Sequence, residues 1–204
     1  MSVGEQVALE RSTETVPDDA ALVEAVRAGR REAFDTLVER YQRRATSIAY
    51  RLLGNLHDAM EVCQEAFVRG YRCLDTLKDP CRFGPWQLRI VTNLSLNFRR
   101  SRGPRLSLED CLASGERSRE EQIADTAASD ERPTARLAAL EVEEQIRAGL
   151  SKLPAQQRAA LVLFSVEQLP QKEVAEILGC SVEAVKWHVF QARRKMKVRL
   201  ADYL

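Results

Sequence analysis

The chain holds 204 residues, 45% of them apolar but only 6% aromatic, and its 31 basic and 30 acidic side chains leave a net charge of +1. That length buries one substantial core or two small ones. A run of 18 apolar residues is absent and the start, MSVGEQVALERSTE, is polar and acidic, which excludes a membrane-inserted segment and a secretory leader and predicts a cytoplasmic protein.

The near-neutral total resolves into blocks along the chain. Residues 1–18 carry −3 and are read as a disordered N-terminal segment. Residues 19–103 carry +5 and form the first predicted domain. Its opening, DDAALVEAVRAGRREAFDTLVERYQRRATSIAYRLLG, reads as two helices, with Asp18 or Asp19 capping the first and Gly29 ending it; Phe34, Leu37, Val38, Tyr41, Ile48 and Leu52 follow at helical spacing. A third helix is predicted from near Asp58 to about Leu74, then a loop, then a fourth helix opened by Pro85. In that fourth helix Ile90, Val91, Leu94 and Phe98 are expected to face the core. Trp86, Arg89, Asn93, Asn97 and Arg100 form a separate polar strip.

Residues 104–136 are rich in Ser, Asp, Glu, Gly and Pro, lack a sustained apolar stripe, and are read as an acidic flexible linker. Residues 137–204 form the second predicted domain, with basic excess again; Pro154 and Pro170 each start a helix, Gly179 closes one and Ser181 caps the last. No segment alternates as a strand would, so the fold is predicted to be all-α: two small helical domains joined by the linker. Five cysteines without a C-x-x-C clip, and two histidines, predict neither a metal centre nor a disulfide framework.

The final stretch, PQKEVAEILGCSVEAVKWHVFQARRKMK, has helix-turn-helix spacing. Val174, Ile177 and Leu178 point inward from the first helix, and Val185, Val189, Ala192 and Met196 form the inward stripe of the second. The opposite side presents Glu183, Trp187, Phe190, Gln191 and Arg194, flanked by Lys186 and Arg193 on one edge and His188 and Lys195 on the other. Two large aromatics on a solvent side, followed by Arg193, Arg194, Lys195 and Lys197, point to DNA, with the cations placed for phosphates. In the first domain DAMEVCQEAF sets Asp58, Glu61, Gln64 and Glu65 on one face. An acidic face inside a basic domain suits a basic protein surface. The strip on the fourth helix, with Lys78, Arg82 and Phe83 from the loop before it, combines amides, aromatics and cations as a reader of unpaired strand does.

The segments GRREAFDTLVERYQ, DAMEVCQEAF, WQLRIVTNLSLNFRR and the C-terminal helix-turn-helix, in that order with a spacer between, resemble the extracytoplasmic-function sigma factors of bacterial RNA polymerase, in the sigma-70 family. The resemblance covers nearly all of residues 19–199 apart from the spacer. It implies a non-enzymatic promoter-specificity subunit without cofactor. Asp58, Glu61, Gln64 and Glu65 would bind the clamp helices of the polymerase's largest subunit, and the flap region would be a further contact. Lys78, Arg82, Phe83, Trp86, Arg89, Asn93, Asn97 and Arg100 would capture the melted −10 element. Ser181, Glu183, Lys186, Trp187, His188, Phe190, Gln191, Arg193, Arg194, Lys195 and Lys197 would read the −35 element. An anti-sigma protein is a common partner in the family. Two departures stand out: Gln87 near the centre of the inward stripe where an apolar residue is usual, with Leu88 expected to compensate by a slight helix rotation, and Ala184, Trp187, His188 and Gln191 where the recognition helix usually carries Thr, Ser, Arg and Arg. The competing expectation is a two-domain regulator that uses the same helix-turn-helix on duplex DNA without polymerase.

Overall fold

The computed structural model describes residues 18–101 and 133–201, and every regular element among them is helical. In the first module α1 (Asp19–Arg27) starts at Asp18, whose carboxylate accepts from the Ala21 N–H at 2.7 Å. Helix α2 (Glu32–Leu53) buries Phe34, Leu37, Ala45, Ile48, Ala49 and Leu52 along one stripe. The next helix, α3 (Leu56–Arg72), begins ahead of Asp58 because Asn55 caps it, its side chain accepting from the Asp58 N–H at 3.0 Å. Two single-turn segments, Leu74–Thr76 and Pro80–Arg82, lead into α4 (Phe83–Ser101).

Helix α4 sits at a different rotation from the expected one. Its buried residues are Phe83, Gly84, Gln87, Leu88, Val91, Thr92, Ser95 and Leu96; of the predicted inward stripe only Val91 is fully buried, while Ile90, Leu94 and Phe98 pack half-buried at the margin. The cause is close contact with α3. A Cβ on Gly70 would lie 2.2 Å from Gln87 Oε1, so the bare Gly70 backbone is what admits the Gln87 carboxamide to the α3–α4 seam.

In the second module α5 (Pro133–Ser151) begins inside the segment read as linker; the remainder of that segment, with residues 1–17, lies outside the described residues. Helix α6 (Ala155–Leu161) widens into a turn over Val162–Val166, with the Glu167 N–H donating to the Val162 carbonyl at 3.0 Å. Then come α7 (Gln171–Leu178), a turn in which Gly179 takes the left-handed φ of 63°, and α8 (Val182–Arg199). A side chain with a Cβ would be strained at Gly179, so glycine there sets the sharp turn between α7 and α8.

The two modules pack against each other. Buried residues from α2, α3 and α4 and from α6, α7 and α8 form one contiguous apolar cluster, with α4 against α7. A smaller cluster of Leu150, Leu153, Leu161, Ala192 and Met196 fixes α5 to α8.

Candidate nucleic-acid interface and docking face

Three surfaces carry the charged and aromatic residues. On α3, Glu61, Gln64 and Glu65 are exposed and Asp58 is half-buried, one turn apart along the helix. Glu65 pairs with Arg69 at 2.5 Å. The same arc exposes Met60 (59%) and Val68, each four residues from Gln64, which the reading of charge alone passed over. They were visible as apolar residues off the buried stripe of Ala59, Val62, Cys63, Ala66 and Phe67. His57, Asp58 and Glu61 bring a ligand atom each to within 4.8 Å of one another. Exposed acidic groups gather in this way on helix surfaces without an ion.

On α4 the strip is largely as expected: Arg89, Asn93, Asn97 and Arg100 are exposed, with Lys78 and Arg82 exposed in the preceding loop. Phe83 is a correction. It is fully buried, with ring centroids 5.5 Å from Tyr41, 6.3 Å from Phe34 and 5.9 Å from Trp86. The Pro80–Arg82 turn, capped by Asp79 through the Cys81 N–H at 3.0 Å, starts α4 at Phe83 and not at Pro85. That places Phe83 four residues before Gln87 and eight before Val91, on the buried stripe. Trp86 lies half-buried at the edge of the ring cluster, with part of its face left for contact. Arg82 is engaged by the second module: its guanidinium lies 3.3 Å from Glu176 and 3.9 Å from Glu173, both on α7.

On α8 the buried residues are Val185, Val189, Ala192 and Met196, the stripe the spacing predicts. Ser181 caps the helix, its Oγ accepting from the Ala184 N–H at 3.1 Å. Trp187 is 53% exposed and Phe190 62%, both on the outer arc, with Glu183, Lys186, Arg193, Arg194 and Lys197 also exposed. His188 is half-buried edge-on to Trp187 at 5.1 Å, and burial lowers its pKa. Two cations are tied inside the module: Arg193 stands over the Phe164 ring and donates to Ser165 Oγ at 3.1 Å, and Lys195 donates to Gln157 Oε1 at 3.0 Å. Gln191 is half-buried beside them. Lys152 and Arg199 join Arg194 and Lys195 around a groove of about 510 Å³. Lys152 was missed because it comes from the loop after α5, distant in sequence from the helix it extends.

Comparisons with known proteins divide the chain at the same place. A model described as sigma-70 region 2 matches residues 37–105, and one described as sigma-70, region 4 matches residues 143–196. The ECF RNA polymerase sigma factor SigW of Bacillus subtilis is 30% identical over 180 residues, 88% of this chain and 95% of that protein. The RNA polymerase sigma-H factor of Pseudomonas aeruginosa is 31% identical over 191 residues, 93% and 97% of the two chains. Among solved structures, CnrH in complex with the cytosolic domain of CnrY superposes with a TM-score of 0.62 at 28% identity, over 90% of this chain and 97% of that one. The fold is shared as well by the sigma factor RpoE from Bartonella quintana, solved with the anti-sigma factor NepR, at 20% identity and a TM-score of 0.61 over 82% and 96%.

Proposed function

The chain belongs to the extracytoplasmic-function RNA polymerase sigma factors, polymerase-associated proteins that direct initiation at promoters, and on that premise we propose which of its surfaces does which part of the work. Helix α3 docks on core polymerase through Asp58, Glu61, Gln64 and Glu65, with Met60 and Val68 as apolar contacts in the same arc. The α4 strip, from Lys78 and Arg82 through Trp86, Arg89, Asn93 and Asn97 to Arg100, captures the melted −10 strand. Helix α8 reads the −35 element: Glu183, Lys186 and Gln191 at base edges, Trp187 and Phe190 against thymine methyls and sugars, and Arg194, Lys197 and the Lys152 groove at phosphates. Catalysis stays with the polymerase, and the protein acts in the cytoplasm; among the described residues no helix is long and apolar enough to cross a membrane. An anti-sigma protein is included among its partners.

The observation that carries this reading is the exposed acidic arc of α3 in a basic module, because such an arc repels DNA and attracts a basic protein surface. A regulator that binds duplex DNA unaided would have no use for it. The test is replacement of Glu61, Gln64 and Glu65 together by alanine. All three are exposed, so the fold should hold, while affinity for core polymerase should fall by roughly tenfold or more, as for several truncated interfacial charge contacts. Wild-type recovery of core polymerase by the triple variant in a pull-down would refute the docking assignment.

The packed arrangement does not permit both elements to be read at once. The elements are named for positions roughly 35 and 10 base pairs ahead of the start site, so at roughly 3.4 Å per base pair they lie roughly 85 Å apart. Arg82 of the −10 strip touches α7 of the helix-turn-helix. The modules therefore part when the chain engages a promoter.

A further inference from the structure

Two charges between the modules, one buried and one half-exposed, are left over by every role assigned above. Arg158, on α6, is 2% exposed, and its Nη1 donates to the Leu52 carbonyl in the last turn of α2 at 2.7 Å. Arg99, near the end of α4, makes the reciprocal contact, its Nη2 donating to the Ser151 carbonyl at the end of α5 at 3.3 Å. Each module thus supplies an arginine to a helix C-terminus of the other, where the backbone dipole is negative.

These caps satisfy only part of each guanidinium. Nε and Nη2 of Arg158 and Nη1 of Arg99 are buried without a partner, and among the described residues neither side chain meets a carboxylate. The packing closes these atoms off from solvent. Burial, with the Arg99 charge adding to it, brings the Arg158 pKa down to about 9. Burial lowers that of Arg99 too. At neutral pH both remain charged and face each other across the seam. A buried charge without a counter-ion costs far more than an exposed one, and burying apolar residues of like size in its place is often stabilising.

We propose that the packed arrangement is a metastable resting form in which Arg158, with Arg99 in a lesser part, acts as the destabilising element: the shared apolar cluster holds the modules together, and the uncompensated guanidiniums keep the opening cost small because parting returns Arg158 and the enclosed edge of Arg99 to water. Across the seam the exposed Arg82 pairs with Glu173 and Glu176, which adds orientation and is weakened by salt, while Arg44 pairs with the nearly buried Glu167 at 2.6 Å and adds to the hold of the apolar cluster. This inference rests on the reading that the chain opens to work, and it names what sets the open fraction. Polymerase, which takes only the open form, meets an apparent affinity reduced by that fraction.

The test uses the full chain, with small-angle X-ray scattering, thermal unfolding and titration against core polymerase. Arg158→Met keeps the length and apolar stem of the side chain and removes the charge. The expected result is a raised unfolding midpoint, a radius of gyration no larger than that of the wild type, and weaker core binding, roughly tenfold for each tenfold loss of open fraction. Arg99→Met, at a half-exposed position, should shift all three the same way by less. If Arg158→Met does not fold, Arg99→Met decides alone. An expanded chain or unchanged core affinity in the folded variant overturns the proposal, since the arginines would then be clasps or bystanders. The scattering and the midpoint need no polymerase, so a wild-type chain that fails to bind core would count against the functional reading and leave this inference to be decided by those two measurements.

Discussion

An aromatic ring among cations suits the margin of a core or the face of a nucleic-acid base, and burial decides between the two. Phe83 packs inside three other rings, whereas Trp187 has 53% of its surface in solvent. Alanine at the two positions should therefore separate stability from recognition. Phe83→Ala is expected to lose about 3–5 kcal/mol of unfolding free energy, the usual range for a buried aromatic. Trp187→Ala should stay within about 0.5 kcal/mol of wild type, as exposed substitutions do, yet change which −35 bases the holoenzyme prefers. Urea unfolding and run-off transcription on −35 variants read the two effects independently. A large loss of stability in Trp187→Ala would move the indole into the core and rotate the proposed groove face.

The α3–α4 seam shows how one polar residue shapes two elements. Gln87 is fully buried, and neither its Oε1 nor its Nε2 has a hydrogen-bond partner. Its carboxamide lies against the bare backbone of Gly70, and the helix rotation that seats it also carries Leu88 and Thr92 inward. Removing the unpaired amide while keeping an unbranched chain should relieve a desolvation penalty of about 1–3 kcal/mol. Gln87→Met is accordingly expected to raise the urea midpoint without a change in slope. A fall in that midpoint would mean that the amide has a partner such as an enclosed water.

At the scale of the whole molecule, the seam between modules governs what the free chain can do. Helix α7 lies on α4, and Arg82, proposed above to meet the −10 strand, is already paired with carboxylates at Glu173 and Glu176. Free protein should therefore bind a promoter duplex poorly, and gain sequence-specific affinity only with core polymerase, where the proposed roles require the modules to be parted. Gel shifts of the same promoter fragment by chain alone and by holoenzyme measure this. A tight, sequence-specific shift by the chain alone would favour a polymerase-independent regulator.

Most of the local architecture was legible in the sequence because its causes act within a few residues. Asp18 and Ser181 mark helix starts by accepting the third N–H onward, Gly179 breaks a helix by its φ, and the 3.6-residue period places Val185, Val189, Ala192 and Met196 inside and Trp187 and Phe190 outside. The acidic arc of α3 was legible for the same reason. The rotation of α4 was legible only as a slight turn that brings in Leu88 beside Gln87, since its extent depends on where a one-turn segment ends and on which residue of α3 leaves space for Gln87. Lys152 reaches the α8 groove through a contact that no periodicity encodes. The sequence by itself thus determined the helices, their faces and the order of the motifs, all set by spacing along one chain segment. Only the tertiary structure decided that Phe83 is core and that the modules meet with Arg158 closed against Leu52, 106 positions away, because burial is settled by what packs on a face and not by the face alone.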